Sequence, residues 1–216
     1  MYSVSEIFCS IQGEGRWSGH PAIFLRLSGC NLWDGRDIHR ESCANSRGAI
    51  CPRFCDTDFT RAQRFTLEDL MLELDRMVRV RPGMVVITGG EPLLQLDEPL
   101  LDALKGRFKR VHIETNGMVE PLFPVERLAE VWLCVSPKVS PDRIPLLPYA
   151  DEVKVLYPSV LSPLLFRTDR PGVEYYLQPI DPAGRKDRNI EETLAFIREH
   201  PDWAVSFQTH KFVGLQ

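Results

Sequence analysis

Seven short apolar, branch-rich runs punctuate this chain, at residues 22–27, 84–87, 110–113, 131–135, 152–156, 174–177 and 203–207. Runs of this length and composition read as buried strands. Amphipathic patterns of helical period lie between several of them. The clearest spans 66–78, where Thr66 can cap and Leu67, Leu70, Met71 and Leu74 share a face; another spans 189–200, and a weaker one covers 97–106 and closes on a glycine. Strands that alternate with helices pair in parallel, because a parallel pair needs a long crossover. The expected fold class is therefore α/β, a helix-coated parallel sheet or barrel. A chain of 216 residues, 44% hydrophobic, can bury a sizeable core, and no linker, repeat or low-complexity tract divides it, so residues 1–216 are expected to form one domain.

The segments that follow these runs are polar, small or glycine-bearing. They read Ser28-Gly29-Cys30, Thr88-Gly89-Gly90-Glu91-Pro92, Glu114-Thr115-Asn116-Gly117, Ser136-Pro137-Lys138, Gln178-Pro179 and Gln208-Thr209-His210. In a parallel barrel, strand carboxyl ends emerge on one face and active sites are built there. Six such ends in register with six strands point to one shared pocket. Ahead of them, residues 3–12 read as an edge strand leading into Gln12-Gly13-Glu14-Gly15, where glycines around an acid permit close backbone approach to a ligand. The charged, glycine-containing loop 31–50 resists assignment to a regular element and is expected to lie over or beside the pocket.

Six cysteines are too few for a disulfide scaffold of this length, and residues 1–10 lack the basic-then-apolar pattern of an export signal, so a reducing cytoplasm is the expected compartment. Cys9 and Cys134 sit in apolar segments and read as packing residues. Cys30, Cys51 and Cys55 are different: three thiolates near one another suit an iron-sulfur cluster with one iron left for something other than protein, because such clusters normally take four cysteines. A net charge of −4 and no apolar run of spanning length argue against nucleic acid and membrane as direct partners.

Together the cysteine triplet, Gly89-Gly90-Glu91-Pro92 and the strand-end series resemble the radical S-adenosylmethionine (SAM) enzymes, and among them the 7-carboxy-7-deazaguanine synthases of the queuosine pathway. The resemblance runs nearly end to end. Its most telling pieces are Gln12 to Gly15, Arg26 to Asn31, Cys55-Asp56-Thr57-Asp58, Glu91-Pro92, Glu114 to Gly117, Val135 to Lys138 and Gln208-Thr209-His210-Lys211.

The resemblance implies a partial parallel β/α barrel of about six strands, with a long cluster-loop insertion. It implies conversion of 6-carboxy-5,6,7,8-tetrahydropterin to 7-carboxy-7-deazaguanine, with loss of ammonia, by a SAM-dependent radical ring contraction. A 4Fe-4S cluster would be held by Cys30, Cys51 and Cys55, and SAM by Phe54, Thr88, Gly89, Gly90, Glu91, Ser136, Lys138 and Gln178. Magnesium would sit at Thr57, with Asp56 either in support or capping a turn. Substrate would meet Gln12, Gly13, Glu14, Arg26, Glu114, Asn116, His210 and the terminal Gln216, although Gln216 departs from the usual family ending. A flavodoxin- or ferredoxin-type reductant and a homodimer are the implied partners.

Cysteine spacing departs from most radical SAM enzymes. Twenty residues separate Cys30 from Cys51 and three separate Cys51 from Cys55, so Cys43 competes with Cys51, the preferred residue, for the middle ligand position. Two other functions compete: a radical SAM activase acting on a protein, and a binding module stabilised by zinc on Cys30, Cys43, Cys51 and Cys55.

Overall fold

The computed structural model describes residues 1–77, 83–180 and 186–215. Strands are β1 (Tyr2–Ile11), β2 (Pro21–Leu27), β3 (Gln63–Phe65), β4 (Met84–Gly89), β5 (Arg110–Thr115), β6 (Trp132–Val135), β7 (Glu152–Tyr157), β8 (Glu174–Pro179) and β9 (Trp203–Val205). Helices are α1 (Arg40–Arg47), α2 (Leu67–Met77), α3 (Glu98–Arg107), α4 (Lys186–Glu199) and the short α5 (Thr209–Phe212).

All nine strands form one sheet, ordered β3-β1-β2-β4-β5-β6-β7-β8-β9 and unclosed. The seven predicted runs became its seven parallel strands, β2 and β4 through β9. The chain's first strand pairs antiparallel with β2 and with β3, capping one edge. No sequence signal had marked β3, which is only three residues long.

The period-2 alternation of these strands separates two chemistries. Ile23, Leu25, Leu27, Val85, Ile87, Val111, Ile113, Leu133, Val135, Val153, Val155 and Leu177 join the main apolar core. That core includes Leu70 and Leu74 of α2 and Leu100, Leu101 and Leu104 of α3, all fully buried. Each such leucine contributes roughly 1.5–3 kcal/mol relative to exposure. Alternate positions on the opposite face carry Arg26, Thr88, His112, Glu114, Cys134, Glu152, Lys154 and Gln178, linked across strands by the register Arg26↔Thr88, Glu114↔Cys134 and Cys134↔Glu152. The sheet thus turns an apolar face to the helices and a polar one inward.

Helix ends follow local chemistry. Thr66 Oγ1 accepts from Asp69 N at 3.1 Å and starts α2; Asp97 Oδ1 accepts from Leu100 N at 3.1 Å and starts α3. The third helix runs one residue past Gly106 rather than stopping there. Within the loop expected to be irregular, α1 forms and ends on Gly48, which takes φ +63° and donates its N–H to the Ala44 carbonyl. Only Ala44 of this helix is buried, so it has no apolar stripe for a sequence to display. Among the described residues, no helix is long and apolar enough to cross a membrane.

Candidate active site

At the carboxyl ends of the strands lies a cavity of about 300 Å³ lined by Cys30, Cys51 and Cys55. Cys30 follows β2, while Cys51 opens a turn that ends near Cys55. Arg40 of α1 fixes this turn: its guanidinium donates to the carbonyls of Pro52 at 2.6 Å and Cys55 at 3.2 Å and stacks 4.1 Å over the Trp33 ring. Burial pushes the Cys51 thiol up to about 12, with Lys138 acting in the other direction. Cys43 sits on α1 and does not line the cavity.

Phe54, Gly89, Gly90, Asn116, Ser136, Lys138 and Gln178 line the same cavity. Lys138 Nζ donates to Ser136 Oγ at 2.6 Å, and Asn116 Nδ2 donates to Asn31 Oδ1 at 2.7 Å, tying β5 to the segment after Cys30. Glu91 is placed differently. It is fully buried off the cavity, where its carboxylate accepts from Leu93 N at 3.1 Å, Thr115 Oγ1 at 2.7 Å and Asn116 N at 2.9 Å. Burial pushes its carboxyl up to about 7 despite these donors. Glu91 thus joins the β4 and β5 loops and is not among the residues that line the cavity.

A second cavity, of about 580 Å³, is lined by Gln12, Arg26, Thr88 and His210. Thr88 thus faces this cavity and not the cysteines. The two cavities share a wall of six residues: Glu14, Asp56, Thr57, Glu114, Gln208 and Lys211. Arg26 reaches Glu6 at 3.4 Å and lies 5.6 Å over the Phe8 ring. Asp56 pairs with Lys211 at 2.7 Å. Gly13 lines neither cavity; it packs under α5, with its carbonyl accepting from Thr209 N at 2.9 Å. Burial lowers the His210 imidazole below its usual range. Gln216 lies outside the described residues.

Beneath the shared wall runs a buried polar network. Lys154 Nζ donates to Glu14 at 2.5 Å and to Glu114 at 3.0 Å; Glu14 also accepts from Gln178 at 3.2 Å and Gln208 at 2.9 Å, and Glu114 from Gln12 at 3.1 Å. Burial works to raise both carboxyls, but the Lys154 ammonium overrides it, lowering Glu14 and bringing Glu114 to about 2. Glu152, paired with the backbone of Arg16 and the Trp132 indole, is pushed by burial up to about 7. The donor atoms of His112, Glu114 and Cys134 lie within 4.8 Å of one another.

No family model matches the chain. It is 38% identical over 222 residues to the 7-carboxy-7-deazaguanine synthase of Caulobacter vibrioides, covering 99% of each chain, and 38% identical over 224 residues to that of Burkholderia multivorans, again covering 99% of each. The chain belongs to the 7-carboxy-7-deazaguanine synthase family. The crystal structure of QueE from Escherichia coli superposes with a TM-score of 0.70 at 27% identity, covering 97% of this chain and 94% of that one.

As a 7-carboxy-7-deazaguanine synthase family member, the chain is an enzyme, and the unclosed, mostly parallel sheet is the family's partial barrel. Membership sets aside the zinc-module reading. Lys154 lines the cavity that holds the cysteines and was not selected by sequence reasoning, whereas Gln208 and Lys211 entered that reasoning within the Gln208 to Lys211 motif without an assigned role. Lys154 carried a readable signal, a lysine between valines in an apolar strand, just as Arg26 lies between leucines.

Proposed function

We propose that this chain converts 6-carboxy-5,6,7,8-tetrahydropterin to 7-carboxy-7-deazaguanine with loss of ammonia, as one radical SAM domain over residues 1–216. The observation that carries the reading is the convergence of Cys30, Cys51 and Cys55 on one cavity that shares its wall with a second, polar cavity. Three thiols on one cavity, with Cys43 outside it, suit a 4Fe-4S cluster that keeps one iron for a small ligand. When bound, the cluster and SAM supply the one-electron chemistry that opens the ring contraction.

The chain's own residues bind, orient and exclude water. Lys138 is a cation for the SAM carboxylate, and Ser136, Phe54, Gln178 and the Gly89-Gly90 backbone complete that side. Glu91 acts one step back, by holding the loops. Across the shared wall, Glu14 and Glu114 are acceptors for the N–H groups of the pterin's aminopyrimidinone edge, Gln12 and Asn116 add amide contacts, and Arg26 and His210 offer donors to its carboxylate. Gly13 supports His210. Thr57, on the shared wall, would give magnesium a hydroxyl oxygen, a ligand type that ion accepts. Asp56, paired with Lys211 through Oδ2, would support it through its other oxygen.

A flavodoxin- or ferredoxin-type reductant, a homodimer, a cytoplasmic setting and supply of the queuosine route to modified tRNA complete the proposal. Anaerobic reconstitution with iron and sulfide tests it: a brown protein with about four irons per chain, whose cluster spectrum changes on adding SAM, is expected. A colourless protein that takes zinc instead would contradict it.

A further inference from the structure

Lys154 lines the cavity that holds the cysteines, and its charged side chain is only 4% exposed. It stands on the inward face of β7. Glu14 meets it from the loop after β1, Glu114 from β5, Cys134 from β6 and Glu152 from its own strand, with His112 behind Glu114. Its ammonium bonds the two carboxylates of the wall between the cavities, which also accept from glutamines, Glu114 from the Cys134 thiol as well. The His112, Glu114 and Cys134 trio does not read as a metal site here, because this ammonium already supplies Glu114 with the positive charge a metal would bring.

We infer that Lys154 is a positioning residue for substrate recognition, clamping Glu14 and Glu114 side by side as acceptors on the wall between the two cavities. The inference deepens the proposed function and rests on it. Two part-buried carboxylates that lose the cation between them disfavour the doubly ionised state, and the affinity of the pair for a proton rises. A protonated oxygen then donates where the aminopyrimidinone edge also donates, so an acceptor is lost. With Lys154 in place both carboxyls stay ionised well below neutral pH, and substrate affinity is insensitive to them. Without it, the carboxyl pKa rises, and affinity falls as pH is lowered through the raised value.

The test titrates 6-carboxy-5,6,7,8-tetrahydropterin into reconstituted, SAM-loaded enzyme without reductant, by calorimetry from pH 6 to 9. Wild type, Lys154→Met, Lys154→Gln and Lys154→Arg are compared, with iron content and circular dichroism recorded for each. Lys154→Met and Lys154→Gln are expected to bind roughly tenfold or more weakly at pH 6.5, the loss of one charge-assisted hydrogen bond, and to regain affinity as pH rises. Lys154→Arg, which keeps the charge, is expected to follow the wild-type pH profile. The two neutral variants serve as parallel probes, so one that fails to fold leaves the other to decide. Wild-type affinity and pH profile in a folded neutral variant would overturn the clamp. Failure of the wild-type enzyme to bind the pterin would overturn the substrate assignment instead.

Discussion

Gly90 packs directly against Cys30: a Cβ at this position would stand 2.8 Å from Cβ of Cys30 and 2.1 Å from the carbonyl oxygen of Gly29. Neither neighbour can yield, since Glu91 N donates to that same carbonyl at 2.9 Å. Gly90→Ala is expected to cost about 1–3 kcal/mol, the usual penalty of overpacking, and to displace Cys30. Iron content after reconstitution and urea unfolding measure the two effects, and both should fall together.

Cys43 and Cys51 separate cleanly in space, so their substitutions should separate in effect. Cys43→Ala is expected to retain wild-type iron content and spectrum. Cys51→Ala, which removes a thiol from the cavity itself, should lose the cluster. The reverse pattern would show that the α1 insertion refolds to deliver Cys43.

Gly13 sets the position of His210. A Cβ there would fall 1.9 Å from Nδ1 of His210 and 3.0 Å from its backbone nitrogen. Gly13→Ala is therefore expected to lift α5 and raise KM for the pterin about tenfold or more. Iron content should stay unchanged, because His210 lines the polar cavity and not the one that holds the cysteines. Steady-state kinetics beside iron analysis distinguishes this from general unfolding.

His112 is fully buried, and neither ring nitrogen has a hydrogen-bond partner; Nε2 stands 3.3 Å from Glu114 but out of line with it. Burial drives its pKa down to about 4, against a partial pull upward from Glu114. The unfolded chain protonates this group near 6.5 and the folded one only near 4, so its contribution is intact above pH 6.5 and is lost as pH falls toward 4. Between pH 7.5 and 5 the loss amounts to roughly 2 kcal/mol. Glu91 and Glu152, raised to about 7, act with the opposite sign over much of that range. They cancel when wild type is compared with His112→Leu, whose stability should fall by less between the two pH values. Urea unfolding at both pH values checks this.

Much of this architecture was legible before the structure. Seven apolar runs became seven parallel strands, and Thr66 capped α2 because a threonine ahead of an apolar helical stripe offers its oxygen to a free N–H. Cys30, Cys51 and Cys55 reached one cavity, and Gln12, Arg26 and His210 another. Other features were hidden for physical reasons. The first helix buries one alanine and so shows no periodicity. Glu91 looked like a ligand-facing acid because its motif ends a strand, and only the fold reveals that Leu93, Thr115 and Asn116 occupy its oxygens. Lys154 was passed over inside a run read as core, where its partners are 140 and 40 residues away along the chain.

Turnover tests the central claim most directly. Reconstituted enzyme, given carboxytetrahydropterin, reductant, magnesium and SAM at a concentration well below that of substrate, should form 7-carboxy-7-deazaguanine and ammonia in equal amounts, with many products per SAM, as mass spectrometry and an ammonia assay would show. A protein that carries the cluster and binds SAM yet forms neither product would contradict the account.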